Sequence, residues 1–279
     1  MKKISILFLT VIIISCSSEN EVFNIMTYNI CYDNPNDGEN QWANRKEFLV
    51  DQITYNEVDI FGIQEGLHHQ VVYLTENFKD YSYVGVGRDD GKEKGEYSAI
   101  FYNSKKFKVI DSNTFWLSET PNKISIGWDA SMERICTYAE FESVNSKQHF
   151  LVFNTHFDHI GDVARLESSK LIYSKIKKIN SKNLPIFVMG DFNLLPSSEP
   201  IQYLSKKLND SKEVSLLKPF GPIGTFNGFK FHEPVRDRID YIFTNNEKVR
   251  VNKYAIISDS KDCKYPSDHL PVVIEVQFK

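Results

Sequence analysis

The chain repeatedly ends an apolar, β-like run on a carboxylate, an amide or an imidazole, and this recurrence restricts its fold more than any other feature. Asn29 stands near the end of NIMTYNI and Glu65 directly after VDIFGIQ. His156 and Asp158 lie in LVFNTHFDH, Asp191 and Asn193 in PIFVMGDFN, Asp240 in RIDYIF, and Asp268 with His269 in SDHLPVVIEV. Each run has the length of a strand of about 5–6 residues. Polar side chains at the ends of several strands can meet at one point although the sequence spreads them widely.

The remaining pattern predicts which layers carry those strands. Strands are expected over 23–30, 58–64, 81–86, 98–102, 108–116, 135–141, 149–154, 186–190, 240–244 and 272–277. Helices are expected over 42–55, 67–78, 162–179 with Asp162 as the cap, and 198–208. Strands outnumber helices, and the helices come singly between them. This favours an α/β/β/α sandwich of two packed mixed sheets. No glycine-rich phosphate loop follows the first strand, which argues against a doubly wound nucleotide-binding sheet. No linker, repeat or charge block divides residues 23–279, so one domain is expected there.

The N-terminus reads separately. Lys2 and Lys3 precede ISILFLTVIII, too short to span a bilayer comfortably and the right length for a signal peptide. Residues 1–15 are expected to be removed. Ile13-Ile14-Ser15-Cys16 resembles a lipobox, which makes Cys16 the lipidated first residue and 16–22 a tether to a bacterial cell-envelope membrane. An ordinary secretory signal is the alternative.

Charge and cysteines weigh against some functions. The formal net charge is −4, without the basic stripe usual in proteins that grip long nucleic acid. This lowers a nuclease reading without removing it, since divalent cations can partly compensate; the lysines of 175–182 read as a solvated helix face. Cys31, Cys136 and Cys263 lack metal-site spacing and form no disulfide framework.

The polar clusters have specific chemical uses. Glu65 follows so apolar a run that its charge needs a partner, and a hard divalent cation is one. Asn29 offers an amide oxygen from a neighbouring strand end. Asp191 and Asn193, two apart, project to one side if the strand continues and could orient a water, with Gly190 allowing a sharp turn; the same four residues could be only a turn. An imidazole at His269 held by Asp240 suits proton transfer or phosphate stabilisation, and leaves Asp268 to face a metal. His156 could contact a phosphate oxygen, with Asp158 and His159 at the substrate edge or a second metal position. His68, His69, His149 and His232 are expected to be structural.

Taken together, N…QE…NTHFD…GDFN…RIDYIF…SDHLP resembles the endonuclease/exonuclease/phosphatase superfamily across residues 23–277. The resemblance implies a site at one rim of paired sheets and Mg²⁺ or Mn²⁺ as cofactor. It assigns Glu65, Asn29 and Asp268 to the metal, Asp191 and Asn193 to the attacking water, Asp240 and His269 to a carboxylate–imidazole pair, and His156 to the phosphate. Trp42-Ala43-Asn44-Arg45, Gly127-Trp128-Asp129-Ala130 with Arg134, Arg165, and Gly224-Thr225-Phe226-Asn227-Gly228-Phe229 resemble a bacterial, often secreted or lipid-anchored, subgroup. Arg134 and Arg165 could clamp phosphate, and Trp128, Phe226 and Phe229 could wall a pocket beside Asp158. The expected activity is Mg²⁺-dependent hydrolysis of a phosphate mono- or diester in a small metabolite, sugar phosphate or lipid headgroup, by a monomer. A nuclease acting on DNA or RNA is the first alternative and a non-catalytic surface module the second. The sequence shows no apolar hairpin of the kind that enters bilayers.

Overall fold

A computed structural model describes residues 21–245 and 247–279. The expected signal peptide, Cys16 and all but the last two residues of the expected tether lie outside them. The chain opens with β1 (Val22–Asn29), a 3-10 turn (Gly38–Asn40), α1 (Trp42–Tyr55), β2 (Ile60–Gln64) and α2 (His68–Asn77). Five strands follow: β3 (Tyr81–Val84), β4 (Ile100–Asn103), β5 (Phe107–Trp116), β6 (Ile135–Ser143) and β7 (His149–His156). Then come α3 (Asp162–Ile179), β8 (Ile186–Asp191), α4 (Glu199–Ser205), β9 (Asn209–Asp210), β10 (Asp240–Thr244), β11 (Val249–Ile256) and β12 (Val272–Phe278).

These strands form two sheets, ordered β11-β12-β1-β2-β4-β3 and β5-β6-β7-β8-β10-β9. Each is mixed: β1 runs parallel to β2 and β7 parallel to β8, whereas the other pairings are antiparallel. The α/β/β/α sandwich expected from the sequence is the observed architecture.

Strand alternation explains the layers. Phe23 and Ile25 of β1, Val152 of β7, Phe187 and Met189 of β8, and Ile242 of β10 fill the space between the sheets. Residues of opposite parity bury outward. Met26 and Tyr28 meet Trp42, Leu49 and Ile53 of α1, while Val188 and Phe243 meet Ile172 and Ile176 of α3. The same parity carries Asn29, His156, Asp191 and Asp240 to the inner face, where the apolar seam ends.

Three local expectations fail for identifiable reasons. Asp162 is the first helical residue of α3 and does not cap it; Asp129 from a distant loop accepts from the amides of Val163 (3.2 Å) and Ala164 (2.7 Å). Gly190 makes no turn. It sits within β8 at φ +148°, where a Cβ would stand 2.0 Å from the carbonyl oxygen of Thr155. Finally, β11 was not expected, and it pairs with β12 along nearly its whole length.

Candidate active site

Backbone register brings the first three polar residues together. His156 pairs with Asp191 across β7 and β8, and Asp191 pairs with Asp240 across β8 and β10. Directly paired positions share a face, so the three side chains form one row. In the facing sheet Asn29 pairs with Gln64 across β1 and β2. Glu65 follows in the left-handed region at φ +65°, which ends the strand beside Asn29.

A polar lock beneath the site ties the sheets together. The Gln64 amide donates to Asn154 Oδ1 (2.6 Å) and Thr27 Oγ1 (3.1 Å), and Asn154 Nδ2 donates to the carbonyls of Ile63 and Ala99. All three side chains are buried, and these bonds pair every polar atom of theirs except Gln64 Oε1. Gly62 makes room: a Cβ there would come within 2.6 Å of Asn154 and Met189.

Asn29 corrects one expectation. Its Oδ1 accepts the amide of Cys31 (3.0 Å), so its Nδ2 faces the site and donates to Glu65 Oε1 (3.0 Å) and Asp191 Oδ2 (3.0 Å). It therefore bridges two carboxylates and offers no oxygen to a metal. Tyr32 N–H donates to the other Glu65 oxygen (3.1 Å), and Asn193 N–H donates to Asp191 Oδ1 (2.8 Å).

The two histidines flank Asp191 Oδ2, His156 Nε2 at 3.5 Å and His269 Nε2 at 3.7 Å, and they differ in charge. Burial, then the positive charges of Arg134 and Arg88, hold His156 well below the usual histidine value. Asn193 Nδ2 donates to its Nε2 (3.1 Å) and to the Phe157 carbonyl (3.0 Å), which places the ring hydrogen on Nδ1. Burial also opposes charge on His269. The carboxylates of Asp240 and Asp191 outweigh it and hold His269 well above the ordinary value. Its Nδ1 donates to Asp240 Oδ2 at 2.9 Å.

The carboxylates strain against each other. Burial, with the charges of Asp268 and Glu96, pushes Glu65 up to about 7. Burial and Asp240 push Asp191 up to about 6, against the pull of His269 and Asn29. A cation among them would relieve both. Glu65, His156 and Asp191 present ligand atoms within 4.8 Å of one another, and so do Asp191, Asp240 and His269. The second group already contains a cation in His269. The first, next to Asp268, has the oxygen-rich character that suits a hard divalent ion.

A cleft of about 460 Å³ joins these groups, lined also by Tyr32, Arg88, Glu96, Met132, Arg134, His159, Phe226 and Ile239. Phe226 packs edge-on against His269, with ring centroids 5.1 Å apart. Arg88 and Glu96, which the sequence did not mark, form a two-pronged ion pair at 2.7 and 2.8 Å behind His156.

Other candidates stay outside the cleft. Asp158 is buried, and its oxygens accept from Ser131, Arg134, Ile160 and Gly161, so it organises a loop. Arg165 donates from its two terminal nitrogens to the carbonyls of His159, Ile160 and Asn193 and to Asp162, which staples the loop, and its Nε is buried. Trp128 donates its amide to Glu119, and Phe229 lies against Arg45. His68, His69 and His149 bond to Tyr97, Asp33 and Glu140 away from the cleft.

Comparison with known proteins agrees with this geometry. The model of the Endonuclease/Exonuclease/phosphatase family matches residues 26–269. The chain is similar to a solved family protein from Bacteroides thetaiotaomicron, with 37% identity and a TM-score of 0.90, over 94% of this chain and 99% of that one. It is similar to the mannosyl-6-phosphatase of the same species, with 38% identity and a TM-score of 0.88, over 92% of this chain and all of the other. An uncharacterized protein of Acanthamoeba polyphaga mimivirus is 31% identical, over 84% of this chain and 91% of its own length.

Proposed function

The chain belongs to the endonuclease/exonuclease/phosphatase family and is a hydrolase of phosphate esters, and from that premise we propose that it releases phosphate from a small phosphorylated carbohydrate with the help of Mg²⁺. The observation that carries this reading is Asp191, held by Asn29 and Asn193 between a neutral and a cationic imidazole. A carboxylate raised to about 6 is suited to take a proton from water near neutral pH. Both its oxygens are already engaged, which favours orienting water over bonding to phosphorus.

Water is the proposed nucleophile. No serine, threonine or cysteine lines the cleft among the described residues, and burial pushes the nearby Cys31 thiol far up. Asn193 positions the water. His269, cationic through Asp240, offers a proton or a hydrogen bond to the phosphoryl group, and His156 faces the same group. Glu65 and Asp268 would hold the cation. Once bound, a divalent ion supplies charge neutralisation at the phosphoryl and leaving oxygens.

The likeness to a mannosyl-6-phosphatase and the absence of a basic stripe support a sugar phosphate over long nucleic acid. One observation favours a lipid headgroup as the second reading. Leu216, Leu217, Phe220 and Ile223, each more than half exposed, lie along a strap beside β11 that the sequence did not suggest. Anchoring of a monomer through Cys16 at the cell envelope is part of the proposal and rests on residues outside those described. Among the described residues, no helix is long and apolar enough to cross a membrane.

The test is phosphate release by the purified protein from hexose 6-phosphates, phospholipid vesicles and RNA, each with Mg²⁺ and with chelator. Release from the sugar phosphates alone supports the reading. RNA degradation without phosphatase activity replaces it with the nuclease reading.

A further inference from the structure

One wall of the cleft is positively charged. Arg134 is buried and lines it; Asp158 Oδ1 takes its Nε (3.3 Å) and His159 Nδ1 its Nη2 (3.0 Å). Among the described residues, its Nη1 has no hydrogen-bond partner. A guanidinium can only donate, so His159 Nδ1 is the acceptor and the ring hydrogen sits on Nε2. His159 is itself exposed at the cleft. Burial and the neighbouring charge of Arg88 hold Arg134 below its ordinary value, the mark of a cation whose charge is incompletely met. Arg88 also lines the cleft, but the two-pronged pair with Glu96 sets a carboxylate against its charge.

Behind this wall the gap between Arg88, Glu96, Tyr97, Arg134 and His156 has no room for a water molecule. The cleft is open past Tyr32 and Phe226, each about two-fifths exposed, and at His159. A monoester carries about −1.5 to −2 near pH 7, with three oxygens free to accept. A diester carries one charge and two such oxygens, so donors beyond those that meet a single charge favour the monoester.

We propose that Arg134 and His159 form an oxyanion clamp on one wall of the cleft that selects phosphate monoesters over diesters. The proposal rests on the hydrolase reading above and deepens it. Asp158, bonded to Ser131 and the amides of Ile160 and Gly161, braces Arg134 from behind and is its positioning residue.

The experiment compares p-nitrophenyl phosphate with methyl p-nitrophenyl phosphate, which share a leaving group and differ by one methyl. Wild-type kcat/KM should favour the monoester by at least about 100-fold. Arg134→Met should cut the monoester value roughly 10- to 100-fold, as expected for one lost charge-assisted hydrogen bond, and change the diester value by less than about 3-fold. A merely structural role would lower both equally, and that result overturns the clamp. Should Arg134→Met fail to fold, His159→Ala decides, since its imidazole is exposed. Its inhibition constant for inorganic phosphate should rise several-fold, and an unchanged value overturns the proposal. A wild-type enzyme that prefers the diester sinks the clamp and leaves the hydrolase reading standing. Cleavage of neither ester removes the hydrolase reading, and the clamp with it.

Discussion

His269 Nδ1 donates to Asp240 Oδ2 across 2.9 Å, and both residues are almost wholly buried. An isolated buried imidazole would lose its proton; this one keeps it because Asp240, Asp191 and Asp268 lie close. The pair therefore stores a positive charge at the spot where a phosphoryl group would gain negative charge.

Asp240→Asn removes the counter-charge without changing shape. Burial then dominates, and the His269 value falls. The high-pH limb of kcat should move to lower pH, with kcat down by roughly 10²–10⁴-fold. The stabilisation from the pair is full below the unfolded value of about 6.5 and is lost as pH rises through the raised folded value; the variant should lack that dependence. An unchanged pH–rate profile would contradict the role given to His269.

Glu65 and Asp191 shift stability with pH in the same direction as His269, because their folded values are raised too. Their folded values, about 7 and about 6, exceed the ordinary 4.5 and 3.8, so the folded state holds protons the unfolded chain has released. Stability of the metal-free protein should fall as pH rises from about 4 to about 7. Mg²⁺ should raise Tm more at neutral pH than near pH 5, because it binds Glu65 in its ionised form. Scanning calorimetry with Mg²⁺ and with chelator reads both effects, and an equal Tm gain at the two pH values would count against Glu65 as a ligand.

Asn29→Asp would place a third carboxylate against Glu65 and Asp191. Those two acids should become harder to ionise, and Mg²⁺ should bind roughly 10- to 100-fold more weakly. Titration calorimetry measures this apart from turnover. Equal affinity in the variant would mean that the bridging amide does not organise the metal site.

Asp129→Ala tests a contact remote from the chemistry. Losing the side-chain acceptor at the start of α3 should cost about 1 kcal/mol and lower Tm by roughly 2–4 °C, leaving kcat/KM unchanged. An unaltered Tm in this variant would mean that the helix is capped by other means.

Much of this molecule is legible in the chain because strand parity and strand ends are local signals. Asn29, Glu65, His156, Asp191, Asn193, Asp240, Asp268 and His269 are marked by the apolar runs around them; six of them line one cleft, and Asn29 and Asp240 bond to its Asp191 and His269. The supports are not marked. Arg88 and Glu96 sit in GRDDGKEKGEY, which reads as a solvated turn until the fold sets it behind His156. Arg45 stands out only within the Trp42-Ala43-Asn44-Arg45 resemblance, which does not say that its guanidinium donates to the carbonyls of Ile30, Cys31, Tyr32, Asn40 and Pro266. Asp158 misled because it adjoins the His156 motif, whereas its partners come from a loop 27 residues earlier and from the amides that follow it. Adjacency in sequence gave no account of where its oxygens point.

Anomalous scattering from crystals soaked in Mn²⁺ tests the central claim most directly. The account predicts a peak within coordination distance, about 2.0–2.2 Å, of a Glu65 carboxylate oxygen, between Asp268 and Asp191, and loss of that peak in Glu65→Gln. Metal bound away from Glu65, with phosphate release undiminished in Glu65→Gln, would contradict it.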